Sequence, residues 1–577
     1  MTDETDRQFA TLARQYLDDR GRRHPELATE LGDHRFDAHL PLLSADALAD
    51  ERRALGRWAG TLGQLDPGTL SAEHQVDAAM LANDVERQIF ELDELHEPAW
   101  NPLLANPGRA IYQLLARDFA PLPDRLASVT GRLAEVPGTL AAARDLLGAM
   151  PRVHLETAIG QFSGTITLLN GVLGQAMDQA WPGPDAGSAR RELDRARAAA
   201  LQALDEHRSW LSARLDDTAP DRFADPRLGA ERFARKLSLT LNAQADADAI
   251  LAGAHADLDR VSEEIAALAA DLAGTGSRDR AGTGSPRDRA AALAAGGDPV
   301  VRQVLDQLAA DAPDDRTILA FGREALARQT AFVAEHQLVT LYDDPVEVIE
   351  MPEIDRGVAV AYCDPPGPLE RAPMPTFIAV SPTPANWPPE RVTSFYREQN
   401  RHMVHNLMAH EAMPGHYLQL QHSRRFAGSG TAIRAALWSG SFVEGWAVYA
   451  EELMAGAGYP GEGDPRTVRM QQLKMQLRMI INTILDARVH GHGMTEAEAM
   501  ALMTGRGYQE EGEAAGKWRR ALLTSAQLST YYVGYTEVSG LAADLRAAGP
   551  GRPAREIHDQ MLAHGSPPVR LLRPLLL

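Results

Sequence analysis

Residues 401–422 read RHMVHNLMAHEAMPGHYLQLQH, and this stretch indicates how the centre of the chain folds. The spacing of its apolar residues is typical of α-helix on either side of Pro414 and Gly415. Proline lacks a backbone N–H and clashes with the preceding helical turn, and glycine adopts dihedral angles that other residues avoid. The sequence therefore predicts a helix that is interrupted at residues 414–415.

Histidine is concentrated in the same stretch, which holds five of the 18 histidines in the chain. His410-Glu411 followed by His416 resembles the zinc-peptidase pattern in which two histidines four residues apart share a helix face and the glutamate acts as a base. Here the spacing is six, so on a continuous helix the two rings would point in different directions. Because the predicted break lies between them, both rings could reach one ion. His402 and His405 are expected to flank this helix in a structural role.

A third ligand is expected from another helix, because catalytic zinc usually has three protein ligands and a water. Residues 441–452 read SFVEGWAVYAEE and offer Glu444, Glu451 and Glu452. Glu444 lies in the most apolar setting, where a carboxylate needs a partner such as a divalent ion. Glu451 returns to nearly the same helix face seven residues later and could accept a hydrogen bond from a ligand histidine.

The remainder of the chain predicts a mainly α protein. Long segments rich in Ala, Leu, Arg and Glu carry apolar residues at three- and four-residue spacings, and Pro and Gly separate these segments. Short β-branched runs are confined to residues 338–381 and predict one small sheet of about three strands. Residues 274–286 read GTGSRDRAGTGSP and are expected to form a solvated excursion between helices.

Composition excludes several classes of protein. The 577 residues carry 58 Lys and Arg against 79 Asp and Glu, a net charge of −21, which argues against nucleic acid or an anionic membrane as the main partner. The single cysteine, Cys363, excludes an internal disulfide. The start of the chain has neither the basic nor the apolar region of a signal peptide, and no stretch is long and apolar enough for a membrane span. We therefore expect a cytoplasmic protein.

Together, HEAMPGHYLQ at 410–419 and EGWAVYAEEL at 444–453 closely resemble motifs of the bacterial domain-of-unknown-function family 885 (DUF885). Members of that family are similar to helical zinc metallopeptidases of the gluzincin type. Further landmarks extend the resemblance over nearly the whole chain: ELGDHRFDAHLPLLS at 30–44, RLAEVPGTLAAARDLL at 132–147 and IHDQMLAHGSPP at 557–568. The resemblance implies one large helical, metallopeptidase-like zinc-hydrolase domain over residues 1–577, with a deep cleft. Its N-terminal helical part covers residues 1–335, and residues 336–577 hold the sheet and the metal-site helices.

The same resemblance assigns roles to the central motifs. It implies that His410, His416 and Glu444 bind one zinc ion and that Glu411 is the general base. Manganese or cobalt would suit the same ligands. The segment PTFIAV precedes the site helix as the edge strand does in gluzincins, so we expect it to hold an extended peptide by strand addition.

Two further segments concern the substrate. Related peptidases use a C-terminal tyrosine to hydrogen-bond the developing oxyanion, and Tyr531 best matches the family pattern Y-x-x-G, with Tyr535 as the alternative. Residues 486–490 read DARVH where the family pattern is D-T-G-x-H, and Asn482 stands where the family often has arginine. Asp486 and His490 either contribute to the site or form a simple helix pair.

The sequence thus predicts a zinc-dependent hydrolase of amide or peptide bonds that acts on short peptides. One alternative is a dedicated amide hydrolase for an aminoacyl or glutamyl conjugate of a specialised metabolite, which the altered segment at 486–490 suggests. An alternative of another class is a non-catalytic binding protein on a peptidase scaffold. That alternative predicts a damaged ligand set or a missing base, and the sequence retains both.

Overall fold

A computed structural model describes residues 2–182, 187–216, 219, 222–274, 297–352, 360–384, 387–426 and 430–577. The chain is mainly α-helical with one small sheet, which confirms the predicted fold class. Apart from Gly274, the predicted excursion at 274–286 lies outside the described residues. None of the described helices is both long and apolar enough to cross a membrane.

The helices are numbered here in chain order. They are α1 (Thr2–Arg23), α2 (Pro25–Leu31), α3 (Ala45–Leu62), α4 (Ala72–Phe90), α5 (Gly108–Ala116), α6 (Leu122–Leu146), α7 (Arg152–Asn170), α8 (Val172–Ala180), α9 (Ser188–Leu215), α10 (Ala230–Leu241), α11 (Ala247–Leu272), α12 (Pro299–Ala309), α13 (Ile318–Glu335), α14 (Pro389–Glu398), α15 (Arg401–Glu411), α16 (His416–Arg424), α17 (Ile433–Ala436), α18 (Gly440–Gly456), α19 (Pro465–His492), α20 (Glu496–Ala501), α21 (Glu511–Leu523), α22 (Thr530–Ala548), α23 (Ala554–Leu562) and α24 (Val569–Leu576). The strands are β1 (Val346–Glu350), β2 (Ala361–Asp364) and β3 (Thr376–Val380).

The chain divides into two compact units. Unit 1 comprises Met1–Pro226, Pro366–Met374 and Ser429–Leu437, and unit 2 comprises Arg227–Pro365, Pro375–Gly428 and Trp438–Leu577. Every residue predicted for the functional site therefore belongs to unit 2. That residues 1–577 act as one domain stays a prediction.

The core of unit 1 forms around α6, α7 and α9. The buried face of α6 repeats at helical spacing through Leu126, Val129, Leu133 and Leu140, all of which are fully buried. Arg132 on the same helix is also buried, and its guanidinium donates to the carbonyl of His39 and to the hydroxyl of Thr29. This side chain joins two of the landmark segments, 30–44 and 132–147.

Unit 2 is built around the long helix α19. Asp464 caps its N-terminus by accepting a hydrogen bond from the backbone N–H of Arg466, and Gly493 ends it in the left-handed conformation with φ 65°. Side chains on all sides of α19 are buried, as expected for a helix at the centre of a core. It packs against α11, α15, α18 and α22, and three of these neighbours carry predicted site residues.

The sheet has the strand order β1-β3-β2, so β3 is its central strand. β1 runs parallel to β3, with Val346 opposite Thr376, and β2 runs antiparallel to β3, with Ala361 opposite Val380. The expectation that PTFIAV forms an edge strand is therefore wrong. Both hydrogen-bonding edges of β3 are already paired, so the strand has no free edge on which to add a peptide.

Candidate metal centre

The predicted break in the site helix is present. α15 ends at Glu411 and α16 begins at His416, and the Met413–Pro414 peptide between them is cis. A Cβ atom at Gly415 would overlap the carbonyl oxygen of His410, so only glycine fits where the chain folds back on the end of α15. The indole Nε1 of the buried Trp446 donates to the Pro414 carbonyl at 2.9 Å, which ties the break to α18.

The break brings both imidazoles to the carboxylate of Glu444. Nε2 of His410 and Nε2 of His416 each lie 3.5 Å from Oε2 of Glu444, and the two ring centroids are 4.7 Å apart. One ligand atom from each of the three residues lies within 4.8 Å of the others. Within the described ranges, no other group of three His, Cys, Asp or Glu side chains meets this condition.

The spacing of these atoms suits a shared ion better than a hydrogen bond. Ligands at about 2.0–2.2 Å from a tetrahedral zinc ion lie about 3.4 Å from one another, whereas good N–H···O bonds are about 2.9 Å long. Oε2 of Glu444 is buried and has no hydrogen-bond partner among the described residues. The donor set of two imidazoles and one carboxylate is also one that catalytic zinc uses. The residues present therefore fit the implied metal.

The charges around His410, His416 and Glu444 also favour a bound cation. Burial by itself lowers the pKa of His410, but the carboxylates of Glu444 and Glu451 raise it well above its ordinary value. Burial opposes ionisation of Glu444, yet His410 and His416 hold its pKa below the usual range. A site that favours a proton on an imidazole this strongly offers the negative charge that a metal cation needs.

A hydrogen-bonded chain orients the first of these imidazoles. Nδ1 of His410 lies 2.7 Å from Oε1 of Glu451, whose other oxygen accepts a 2.6 Å hydrogen bond from the side-chain amide of Asn406. Glu451 is 1% exposed. With Nδ1 donating to Glu451, Nε2 faces Glu444 and would be available to ligate an ion. Asn406 was not identified from the sequence, although it lies one helical turn before His410 on α15.

Glu411 is positioned by the same helix end. It is the last residue of α15, is 8% exposed, and interacts electrostatically with His410. The general-base role predicted for this carboxylate remains a prediction.

Two glycines bring α22 against the ligand helix α18. A Cβ atom at Gly445 would overlap the backbone of Gly534, and one at Gly534 would overlap the carbonyl of Ser441. Gly445 directly follows Glu444, and Gly534 lies three residues after Tyr531. The glycine of the Y-x-x-G pattern therefore permits a close crossing of the helices that carry Tyr531 and Glu444.

The two candidate tyrosines differ in their partners. The Tyr531 hydroxyl lies 3.4 Å from Nη2 of Arg520 and 3.4 Å from Nε2 of Gln527. Burial, and after it the charge of Glu444, raises the pKa of Tyr531, so its hydroxyl keeps its proton at neutral pH. The Tyr535 hydroxyl instead donates to Glu452 at 2.7 Å. Of the two, Tyr531 is the one whose hydroxyl interacts electrostatically with Glu444.

Asp486 and His490 bind the turn that precedes α22. The Asp486 carboxylate accepts hydrogen bonds from the backbone N–H groups of Ala526 and Ser529, each 3.0 Å long. Nε2 of His490 lies 2.9 Å from the carbonyl oxygens of Ala521 and Thr524. Both side chains thus hold the segment between α21 and α22, and a direct part in the site stays a prediction for each.

Other residues that the sequence singled out have structural partners. Nε2 of His405 lies 2.9 Å from Glu462, consistent with its expected flanking role. His558 bridges the Leu338 carbonyl and the Tyr449 hydroxyl, and Asp559 accepts from the backbone N–H of Thr340. The IHDQMLAHGSPP landmark therefore anchors α23 within unit 2, a role that depends on long-range contacts and carries no local sequence signal.

A family model described as "Bacterial protein of unknown function (DUF885)" matches residues 25–576. The chain belongs to this family. Two solved structures share its fold over nearly the whole length. One, from Shewanella oneidensis, is provisionally described as a lipoprotein of unknown function; it is 28% identical, covers 98% of this chain and 99% of its own, and has a TM-score of 0.79.

The second structure, from Colwellia psychrerythraea, is also provisionally described as a lipoprotein. It is 16% identical, covers 98% of both chains and has a TM-score of 0.75, so it shows the fold alone. A comparison with curated proteins gives no match.

These comparisons correct one expectation. The predicted cytoplasmic location is wrong, since both similar structures are provisionally described as lipoproteins. The prediction rested on an acidic composition and on the character of the first residues, and neither feature determines the compartment in which a protein works.

Proposed function

We propose that this DUF885 protein is a zinc-dependent hydrolase of amide or peptide bonds, similar in chemistry to the gluzincin metallopeptidases, and that it acts on short peptides. The observation that carries the proposal is the 3.5 Å spacing of the His410 and His416 Nε2 atoms from an otherwise unpartnered, buried carboxylate oxygen of Glu444. Two imidazoles and a carboxylate so arranged would hold one divalent ion. Such an ion supplies Lewis acidity that polarises an amide carbonyl and makes a water more acidic.

The residues of the chain supply the remaining parts of a hydrolysis. Glu411 accepts a proton from the attacking water, whose oxygen forms a bond to the carbonyl carbon, and returns that proton to the amine nitrogen as the C–N bond breaks. Tyr531 donates a hydrogen bond to the carbonyl oxygen as negative charge develops there, a role that its raised pKa favours. Glu451 and Asn406 keep the His410 ring in the orientation that ligation needs.

A peptide panel analysed by mass spectrometry tests this function. We expect the zinc-replete wild type to cleave short peptides, and Glu411→Gln to lose at least about 100-fold of that activity because general-base catalysis typically contributes this much. Glu452→Gln is the matched control, since its carboxylate binds Tyr535 and not a ligand histidine. Full activity in Glu411→Gln would contradict the general-base role proposed for that residue.

The same panel bears on the alternatives. Cleavage confined to aminoacyl or glutamyl conjugates would favour a dedicated amide hydrolase. Binding of panel members with no cleavage by the metal-replete protein would favour a non-catalytic binding protein.

A further inference from the structure

Two basic side chains on α21, one of which contacts the Tyr531 hydroxyl, have no part in the hydrolysis proposed above. Lys517 and Arg520 are three residues apart, so they share a face of the helix. Both interact electrostatically with Glu444, and Nη2 of Arg520 lies 3.4 Å from the Tyr531 hydroxyl. No role in the site was assigned to them from the sequence.

Neighbouring cations of unit 2 have carboxylate partners. Nζ of Lys474 lies 2.8 Å from Glu398, and Arg478 forms an ion pair with Glu513. The two cations of α21 differ from them in this respect. Among the described residues, neither Lys517 nor Arg520 has a carboxylate within ion-pair distance.

Lys517 is the more deeply buried of the two cations. Its side chain is buried, with 6% of its surface exposed. Arg520 is half-buried and donates to the neutral amide oxygen of Gln527 at 2.9 Å. A buried cation without an ion-pair partner is costly. Burial, followed by the charges of Arg478 and Arg520, lowers the pKa of Lys517 well below its usual value, and the charges of Glu513 and Glu444 offset this only in part. The pair is thus suited to receive an anion from outside the chain.

We propose that Lys517 and Arg520 bind a carboxylate of the substrate beside the scissile amide. This inference rests on the proposed hydrolase function and specifies its substrate class: short peptides with a free carboxylate near the bond that is cleaved. The protein as a whole carries a net charge of −21, so such a substrate needs a local cationic group of this kind.

The position of Arg520 indicates which carboxylate of the substrate it would bind. Tyr531 is proposed to hold the scissile carbonyl oxygen, and Arg520 contacts its hydroxyl. A carboxylate bound by Arg520 therefore lies about one residue from the scissile bond, as the α-carboxylate does when the last residue of a peptide is removed. An acidic side chain of the same residue presents the same chemistry, and the experiment separates these two sources.

Binding of a product-like probe tests the cationic pair without requiring turnover. By isothermal titration of the zinc-replete wild type, we expect N-acetyl-leucine to bind at least about 30-fold more tightly than N-acetyl-leucinamide, because charge-assisted hydrogen bonds are the stronger ones. Lys517→Met should reduce this ratio to about 3-fold or less, and Lys517→Arg should restore most of it. Lys236→Met on α10, which removes a lysine outside the proposed site, is the control and should keep the wild-type ratio.

Hydrolysis of three matched peptides identifies the carboxylate. The peptides end in Leu with a free carboxylate, in Leu amide, or in Glu amide. If only the peptide with the free C-terminal carboxylate is cleaved, Lys517 and Arg520 bind an α-carboxylate. If the peptide ending in Glu amide is cleaved as well, they bind either an α-carboxylate or an acidic side chain. Equal cleavage of all three by wild type would overturn this inference while leaving the hydrolase function intact.

The two proposals can fail separately. A 30-fold preference for the acid probe with no cleavage of any peptide would support the cationic pair and contradict the hydrolase function. Equal affinity of wild type for both probes would overturn the cationic pair. If Lys517→Met does not fold, as judged by circular dichroism, the same ratio measured in Arg520→Gln decides the question, and a ratio equal to that of wild type would overturn the inference.

Discussion

At the scale of single residues, Glu451 shows how strongly the proposed metal site depends on side chains that do not touch the metal. Its carboxylate is 1% exposed and joins the amide of Asn406 to Nδ1 of His410. A buried carboxylate in this position makes the imidazole a better ligand by fixing its tautomer and its orientation. The role is a positioning one.

We predict that Glu451→Gln lowers the affinity for zinc by about 10- to 100-fold, the usual effect of removing such a partner. A competition titration with a chromophoric zinc chelator measures this affinity. Glu452→Gln changes the adjacent carboxylate, which binds Tyr535, and should leave the affinity near that of wild type. Equal affinities in the two variants would mean that Glu451 does not support the ligand.

His558 provides a pH-dependent prediction. Burial lowers its pKa to about 4, whereas the unfolded chain has an ordinary histidine pKa of about 6.5. As the pH falls below about 6.5 the unfolded state takes up a proton before the folded state does, so the free energy of unfolding decreases towards pH 4. Between pH 7 and pH 5 this residue alone should cost about 2 kcal/mol.

Urea unfolding at the two pH values, followed by fluorescence, measures that difference. His558→Gln should be less stable than wild type at pH 7, because the hydrogen bonds to Leu338 and Tyr449 weaken, yet it should lose less stability on going to pH 5. The exposed His492 is the control, and His492→Gln should retain the wild-type difference. An unchanged difference in His558→Gln would contradict the burial argument.

At the scale of helices and strands, the crossing of α18 and α22 positions Tyr531 relative to Glu444. The contact depends on Gly445 and Gly534, at which a Cβ atom would overlap backbone atoms of the other helix. Backbone cannot move aside as the end of a flexible side chain can. The helices would therefore have to separate if either glycine were replaced.

We predict that Gly534→Ala destabilises the protein by about 1–3 kcal/mol, the usual cost of overpacking, and lowers hydrolysis by displacing Tyr531. Thermal unfolding and the peptide assay measure the two effects. Gly456→Ala, at the end of α18 where a Cβ meets nothing within 4 Å, should be neutral or slightly stabilising. Equal melting temperatures for the two variants would contradict a close crossing.

What the sequence could predict at this scale follows from the range of the interactions involved. The break at residues 414–415 was predictable because proline and glycine act on their own backbone. The central place of β3 was not, because it depends on pairing with β1 and β2, and the resemblance to gluzincins suggested an edge strand. The contact of Arg520 with the Tyr531 hydroxyl likewise arises from the packing of α21, which no local pattern encodes.

At the scale of the whole molecule, the proposed site draws only on unit 2. His410, Glu411 and His416 come from Pro375–Gly428, and Glu444, Glu451 and Tyr531 come from Trp438–Leu577, while the short segments Pro366–Met374 and Ser429–Leu437 belong to unit 1. The parts expected from the sequence, residues 1–335 and 336–577 of one domain, stay a prediction. Which unit a short segment of the chain joins depends on long-range contacts. The helical class of the chain depends on local periodicity, and it was predicted correctly.

The metal content of the purified protein tests the proposed centre most directly. After dialysis against zinc and then against metal-free buffer, mass spectrometry should find one zinc ion per chain in wild type and in Glu411→Gln, because Glu411 is not a ligand. His416→Ala should hold much less, and the control His492→Ala should match wild type. Equal zinc in His416→Ala and wild type, or none in wild type, would contradict a metal centre formed by His410, His416 and Glu444.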